Sequence, residues 1–183
     1  IIDNFLKNKI FYSYFSIIKT YRQAGKYLSK IVSFLLNYKK NKKKNIYVSC
    51  DKSFEMYVTI LGILITNNTW IPLSKSLPKS RINNLMKQVP PDLFIYGKTD
   101  TNKVYLFKKK KAKCILFNEI NSIKTNINLQ FIKKIIRKIK FQNTAFIYFT
   151  SGSTGDAKGI KISHSNIISD IYDQCYHLYK KMI

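Results

Sequence analysis

Between residues 20 and 37 the apolar positions recur every three or four places. Tyr21, Ala24, Tyr27, Leu28, Ile31, Leu35 and Leu36 gather on one face of a helix, and Thr20 stands where it can cap the first turn. Downstream the period changes. Ile46-Tyr47-Val48-Ser49-Cys50 is a short run of β-formers, followed by a helical stretch over 53–65 and a second strand over 69–73. Asn67-Asn68 separates that helix from that strand, as turn formers do. A helix over 79–88 then leads through Pro90-Pro91 into the apolar run Leu93-Phe94-Ile95-Tyr96. Strand, helix, strand, helix, strand predicts an α/β fold, a mostly parallel sheet with crossover helices covering it.

The middle of the chain is harder to read. Val104-Tyr105-Leu106-Phe107 and Cys114-Ile115-Leu116-Phe117 read as two further strands around the lysine run 108–111. Residues 129–140 have a helical period, with Phe131, Ile132, Ile135, Ile136 and Ile139 on one face and Lys133, Lys134, Arg137 and Lys138 largely on the other. An ordinary helix packed on a sheet is expected there, with binding to an anionic membrane surface as the alternative. Residues 39–44 read as a basic, solvated linker, because burying unpaired ammonium groups is costly. Near the end, Ala145–Thr150 is an apolar strand and Ile160–Ser163 a second short one. His164-Ser165-Asn166 then opens a helix with Ile167, Ile168, Ile171, Tyr172 and Cys175 on one face.

Composition changes this picture little. With 183 residues and 45% hydrophobic side chains, the chain can build one sizeable core and is not a disordered polymer. The net charge is +24, yet 30 of the 33 basic residues are Lys and only 3 are Arg. Lys, Ile and Asn all have AT-rich codons, so base composition accounts for the bias. A dedicated nucleic-acid surface uses Arg for bidentate contacts, so no specific nucleic-acid partner is expected, only salt-sensitive attraction to polyanions. A basic module binding nucleic acid or anionic membrane without catalysis is the alternative function class. Cys50, Cys114 and Cys175 are too few and too scattered for a disulfide framework or a zinc cluster, which suggests a reducing, cytoplasmic compartment. Asp173 and His177, one helical turn apart, read as a surface pair rather than metal ligands, and no metal site is expected. The longest uncharged run, 56–74, is interrupted by Thr66-Asn67-Asn68-Thr69 and makes a poor membrane span. The chain opens Ile-Ile-Asp without Met and ends in a helical pattern without a stop signal, so a piece of something longer is expected.

One segment carries chemistry. The strand 145–150 runs into Ser151-Gly152-Ser153-Thr154-Gly155-Asp156-Ala157-Lys158-Gly159, and another strand follows. Glycines let a backbone approach a ligand closely, and successive N–H groups can then converge on one anion. The hydroxyls of Thr150, Ser151, Ser153 and Thr154 can donate to phosphate oxygens or meet a hydrated metal, and Lys158 supplies a cation. This is polyphosphate-binding chemistry. It is not a Walker A loop, since Lys158 precedes Gly159 and a strand follows where a helix is required. Nor is it a hydrolase elbow, because Gly152-Ser153-Thr154-Gly155 lacks one spacer.

Phe149-Thr150-Ser151-Gly152-Ser153-Thr154-Gly155-Asp156-Ala157-Lys158-Gly159 resembles the phosphate-binding signature of the adenylate-forming (AMP-binding) superfamily. The resemblance reaches upstream, with Tyr12–Leu36 similar to an early tyrosine-then-helix segment and Trp70-Ile71-Pro72-Leu73, Leu77-Pro78 and Arg81-Ile82 similar to a proline-rich link. It implies the N-terminal part of the large adenylate-forming domain, incomplete in this chain. Residues 1–97 would be the first βαβ units, 98–142 a poorly matched insertion or connection, and 143–183 the strand-loop-strand-helix around the phosphate loop. The Ser-Gly-Ser-Thr-Gly form is more typical of amino-acid-activating members and D-alanine–carrier-protein ligases. Ala157 stands where the family usually has Pro, which loosens the loop without removing a ligand.

The reaction implied has two steps. A carboxylate, in particular that of an amino acid, attacks the α-phosphate of Mg2+-bound ATP to give an acyl-adenylate, and a thiol of carrier-protein phosphopantetheine or CoA then takes the acyl group. Thr150, Ser151, Ser153, Thr154 and Lys158 would hold the β- and γ-phosphates, Lys158 as the catalytic cation, while Gly152, Gly155 and Gly159 let the loop close. The family's ribose, adenine and acyl contacts lie beyond this loop, so the chain alone is expected to be inactive.

Overall fold

A computed structural model describes residues 8–14, 17–38, 42–49, 52–150 and 157–180. The chain opens with an antiparallel pair, β1 (Ile10–Tyr14) and β2 (Ile17–Thr20), and enters α1 (Tyr21–Asn37) through a capping box. Gln23 N–H donates to Thr20 Oγ1 at 3.3 Å while Thr20 N–H donates to Gln23 Oε1 at 2.8 Å, so two otherwise unpaired donors are satisfied reciprocally. Three crossover units follow: β3 (Asn45–Ser49), α2 (Phe54–Ile65), β4 (Thr69–Leu73), α3 (Lys79–Gln88) and β5 (Leu93–Tyr96), then a 3-10 turn (Lys98–Lys103), α4 (Val104–Lys109) and β6 (Lys113–Leu116). The short helices α5 (Phe117–Asn121) and α6 (Leu129–Ile136) lead to β7 (Thr144–Thr150), β8 (Lys158–Ser163) and α7 (His164–Lys180).

Six strands form one sheet in the order β6-β5-β3-β4-β7-β8. All neighbours are parallel except β7 and β8. The central strands read as unbroken apolar runs because both faces are covered. Ile46, Val48, Leu93 and Ile95 point to one face, where they meet Tyr27, Ile31 and Leu35 of α1 with α2 and α5. Tyr47 and Phe94 point to the other, against Ile82, Leu85 and Met86 of α3 and Leu106 and Phe107 of α4. The ring of Phe94 stacks on Phe107 with centroids 4.0 Å apart.

The segment 104–107 is a helix, not the strand its composition suggests. Leu106 and Phe107 are buried, Val104 is half-buried and Tyr105 is exposed, which is not the alternation a strand would show. Lys111 ends α4 in the left-handed region, at φ 58°. Ala112 N–H returns to Phe107 O at 3.1 Å and Lys111 N–H to Lys108 O at 2.9 Å, a Schellman closure. The same closure ends α2, with Asn67 at φ 56°. Lys44 is also not solvated: it is 4% exposed, and its ammonium donates to Lys42 O at 3.0 Å. Within α6 only Ile132 is deeply buried, while Phe131 and Ile136 stay exposed.

Gly62 sits where α2 crosses α1. A Cβ there would lie 2.6 Å from Ile31 Cγ2, and Ile31 is fully buried. Overpacking a core costs about 1–3 kcal/mol, and alanine's better helix propensity offsets about 1 kcal/mol of it, so Gly62→Ala is expected to lose a net ~1–2 kcal/mol. Urea unfolding checks this; an unchanged or higher midpoint would show that Ile31 yields.

Candidate functional site

β7 lies between β4 and the edge strand β8, and its C-terminal residue Thr150 ends at the same sheet edge as the C-termini of β3, β4, β5 and β6. In open parallel sheets that edge is where ligands bind. β8 returns antiparallel, pairing Thr150 with Lys158 and Phe149 with Gly159. The ladder therefore holds Thr150 and Lys158 at the two ends of the intervening segment. Thr150 is half-buried and Lys158 exposed. Of the other residues read from the sequence, Ser151, Gly152, Ser153, Thr154 and Gly155 lie outside the described residues.

Gly159 is part of β8. A Cβ on it would come within 3.1 Å of the Phe149 ring and 3.2 Å of Ile147 Cγ2, so the absent side chain makes room for the aromatic ring on the facing strand. Ala157 is buried among the residues under α3, and its carbonyl accepts a 2.6 Å bond from Gln88 Nε2 at the end of that helix. This stem is therefore anchored, although it lacks the ring of a proline.

Two braces at the same edge were not evident in the sequence. Asp100 and Lys103 form a buried ion pair at 2.7 Å, with side chains 2% and 7% exposed. The Lys103 ammonium also donates to Ser74 O at 3.1 Å and Lys75 O at 3.0 Å, tying the turn after β5 to the loop after β4. Ser49 Oγ, fully buried, accepts from Gly97 N–H at 3.0 Å and joins the ends of β3 and β5. Only the Asp-x-x-Lys spacing within a polar stretch hinted at the first brace.

His164 begins α7 and packs as a helix-end residue. Its N–H donates to Asn143 O at 3.1 Å, and its imidazole is pushed below the usual histidine range by burial and then by the Lys43 charge. Ser163 and Asn166 cap the helix reciprocally, at 3.0 and 3.2 Å. Asp173 and His177 are exposed, and the described residues contain no group of three or more His, Cys, Asp or Glu placed to hold a metal. Burial pushes the half-buried Cys114 thiol up, Cys175 is exposed, and Cys50 lies outside the described residues. No helix among the described residues is long and apolar enough to cross a membrane.

A two-sided, mostly parallel sheet whose last parallel strand leads into a hydroxyl- and glycine-rich segment has the architecture of the N-terminal subdomains of adenylate-forming enzymes. The Klebsiella oxytoca NpsA N-terminal subdomain superposes with a TM-score of 0.68 at 19% identity, covering 86% of this chain and 38% of that one. The chain belongs to the AMP-binding enzyme family, whose model matches residues 4–182. It is 29% identical over 152 residues to the nonribosomal peptide synthetase SIDC of Beauveria bassiana, covering 83% of this chain and 3% of the relative. It is 28% identical over 161 residues to the D-alanine--D-alanyl carrier protein ligase of Listeria welshimeri, covering 86% of this chain and 30% of the ligase. The chain thus spans less than a third of either relative.

Proposed function

We propose that this chain carries the triphosphate-binding part of an enzyme that activates a carboxylic acid, specifically an amino acid, as an acyl-adenylate and passes it to a thiol. The observation that carries this is the pairing of Thr150 with Lys158, which closes the hydroxyl- and glycine-rich segment at the ligand edge of the sheet. Family membership and the peptide-synthetase and D-alanine-ligase relatives support the reading.

Thr150, Ser151, Ser153 and Thr154 bind phosphate oxygens in this proposal. Gly152 and Gly155 allow close backbone approach to those oxygens, and Lys158 balances charge on the β- and γ-phosphates. Mg2+ would travel with the nucleotide, meeting the segment's hydroxyls and adding to the charge balance. Orientation and charge neutralisation are what the residues contribute to the attack of the carboxylate on the α-phosphate. The acceptor is a carrier-protein phosphopantetheine or CoA thiol. Exchange of labelled pyrophosphate into ATP by an enzyme containing this chain tests the reading. Exchange is expected with one or a few amino acids and not with fatty acids; exchange driven by fatty acids alone would move the substrate class.

A further inference from the structure

At the sheet edge opposite Thr150 and Lys158, where β3, β4 and β7 begin, the last turns of α1 close over a cavity of about 380 Å³. Its polar wall is Lys42, Lys43, Lys44, Thr66, Asn67 and Asn68. Most lysines of this chain are spread over open surface, where water solvates each ammonium separately. Here three consecutive lysines line one concavity. Lys43 donates to Thr144 O at 2.7 Å, which holds its ammonium at the start of β7. Lys44 is buried behind it. Lys42 lies 3.6 Å from Asp92 Oδ1, and the other oxygen of Asp92 is engaged by Asn45 N–H at 3.1 Å.

His164 stands beside this cluster. Its Nε2 is buried and has no hydrogen-bond partner among the described residues. Asn143 links the two regions, accepting from His164 N–H through its carbonyl and donating through its side chain to Asn67 Oδ1 at 3.0 Å. The Lys43 charge disfavours protonation of His164, and burial disfavours the charge on Lys43 itself. Positive potential concentrated in a concave, partly desolvated space attracts anions far more strongly than the same charges on a flat surface.

We propose that this cavity binds a phosphate-class oxyanion on the ammonium group of Lys43, with Lys42 and Lys44 keeping the potential around it positive. The site lies on the far side of the sheet from the segment proposed for the nucleotide and is independent of that reading. The ligand is free inorganic phosphate or the phosphoryl group of a larger molecule.

The test uses purified protein containing this chain, titrated with inorganic phosphate at an ionic strength held constant with sodium chloride. The chain has two histidines, so the imidazole resonance of His164 is assigned by difference from a His177→Gln variant. Phosphate is expected to shift the His164 resonance saturably and raise its midpoint of titration, leaving His177 unmoved. Lys43→Gln should weaken phosphate binding about tenfold or more, the scale of one charge-assisted hydrogen bond. Lys43→Arg should retain it, and Lys110→Met on the exposed end of α4 should change nothing. A parallel titration with glycerol phosphate separates the sources: equal affinity assigns the site to phosphoryl groups of larger molecules, and a response to inorganic phosphate alone assigns it to the free ion. No saturable shift of His164, or equal losses from Lys110→Met and Lys43→Gln, would overturn the proposal. If Lys43→Gln does not fold, the unmodified protein and Lys43→Arg decide it.

Discussion

Replacing Lys158 by alanine in an enzyme that contains this chain is expected to slow acyl-adenylate formation while leaving the affinity for the carboxylic acid nearly unchanged. Lys158 is exposed at the first position of β8 and pairs with Thr150, so it stands at the closing end of the glycine-rich segment. In the proposed function it faces phosphates rather than the acid. Removing one charge-assisted contact to the departing pyrophosphate costs about 2–4 kcal/mol of transition-state stabilisation, a rate loss of about 30- to 1,000-fold. An interaction made mainly in the transition state lowers kcat and kcat/KM together, whereas lost ground-state binding raises KM alone. Lys158→Arg should recover part of the rate, because it keeps the charge with a different fork geometry. Pyrophosphate exchange equal to that of the parent enzyme in Lys158→Ala would remove this residue from the site.

The elements that were legible in the sequence are those whose burial leaves a period. α1, β4 and α3 lie where the pattern places them, because α1 buries one face against the sheet and β4 and α3 lie between clear turn signals. Four apolar residues at 104–107 have no period long enough to tell helix from strand. The answer comes from Phe107 stacking on Phe94, a contact 13 residues away in sequence that no local rule contains. The buried Lys44 was missed for a similar reason. Its ammonium is accommodated by the backbone carbonyl of Lys42, and its own backbone is fixed by Asn68 Oδ1 and Thr69 N–H, partners that meet it only once β3 and β4 are paired.

For the site, the order strand, hydroxyl-and-glycine segment, strand is a sequence property, and so is the lysine within it. The register is not: Thr150 faces Lys158 because β8 pairs with β7 and with no other described strand. Gly159 shows the limit of composition. As one glycine among several it reads as part of a mobile loop, but it stands under the ring of Phe149 in a ladder. The Asp100–Lys103 brace joins two loops that meet only at the ligand edge of the finished sheet.

Residues 1–183 expressed alone are expected not to exchange pyrophosphate into ATP with any amino acid. The proposed phosphate segment holds one end of the nucleotide. Catalysis also needs the adenine and ribose held and the carboxylate placed against the α-phosphate. The chain corresponds to 38% of the NpsA N-terminal subdomain and 30% of the D-alanine ligase, which leaves most of each relative to supply those contacts. Without them the proximity contribution, about 7–11 kcal/mol, is largely lost. The surface makes the same point physically. Ile168, Ile171, Tyr172 and Tyr176 of α7 are exposed, Tyr172 by 72%, and Tyr148 and Ile160 are exposed on β7 and the edge strand β8. Apolar side chains gathered on a helix beside a free strand edge favour association. Concentration-dependent oligomers are therefore expected in sedimentation velocity, and Ile171→Lys with Tyr172→Lys should shift them toward monomer without restoring exchange. A monomer of the unmodified chain that unfolds cooperatively and exchanges pyrophosphate with an amino acid would show that these residues form a self-sufficient enzyme.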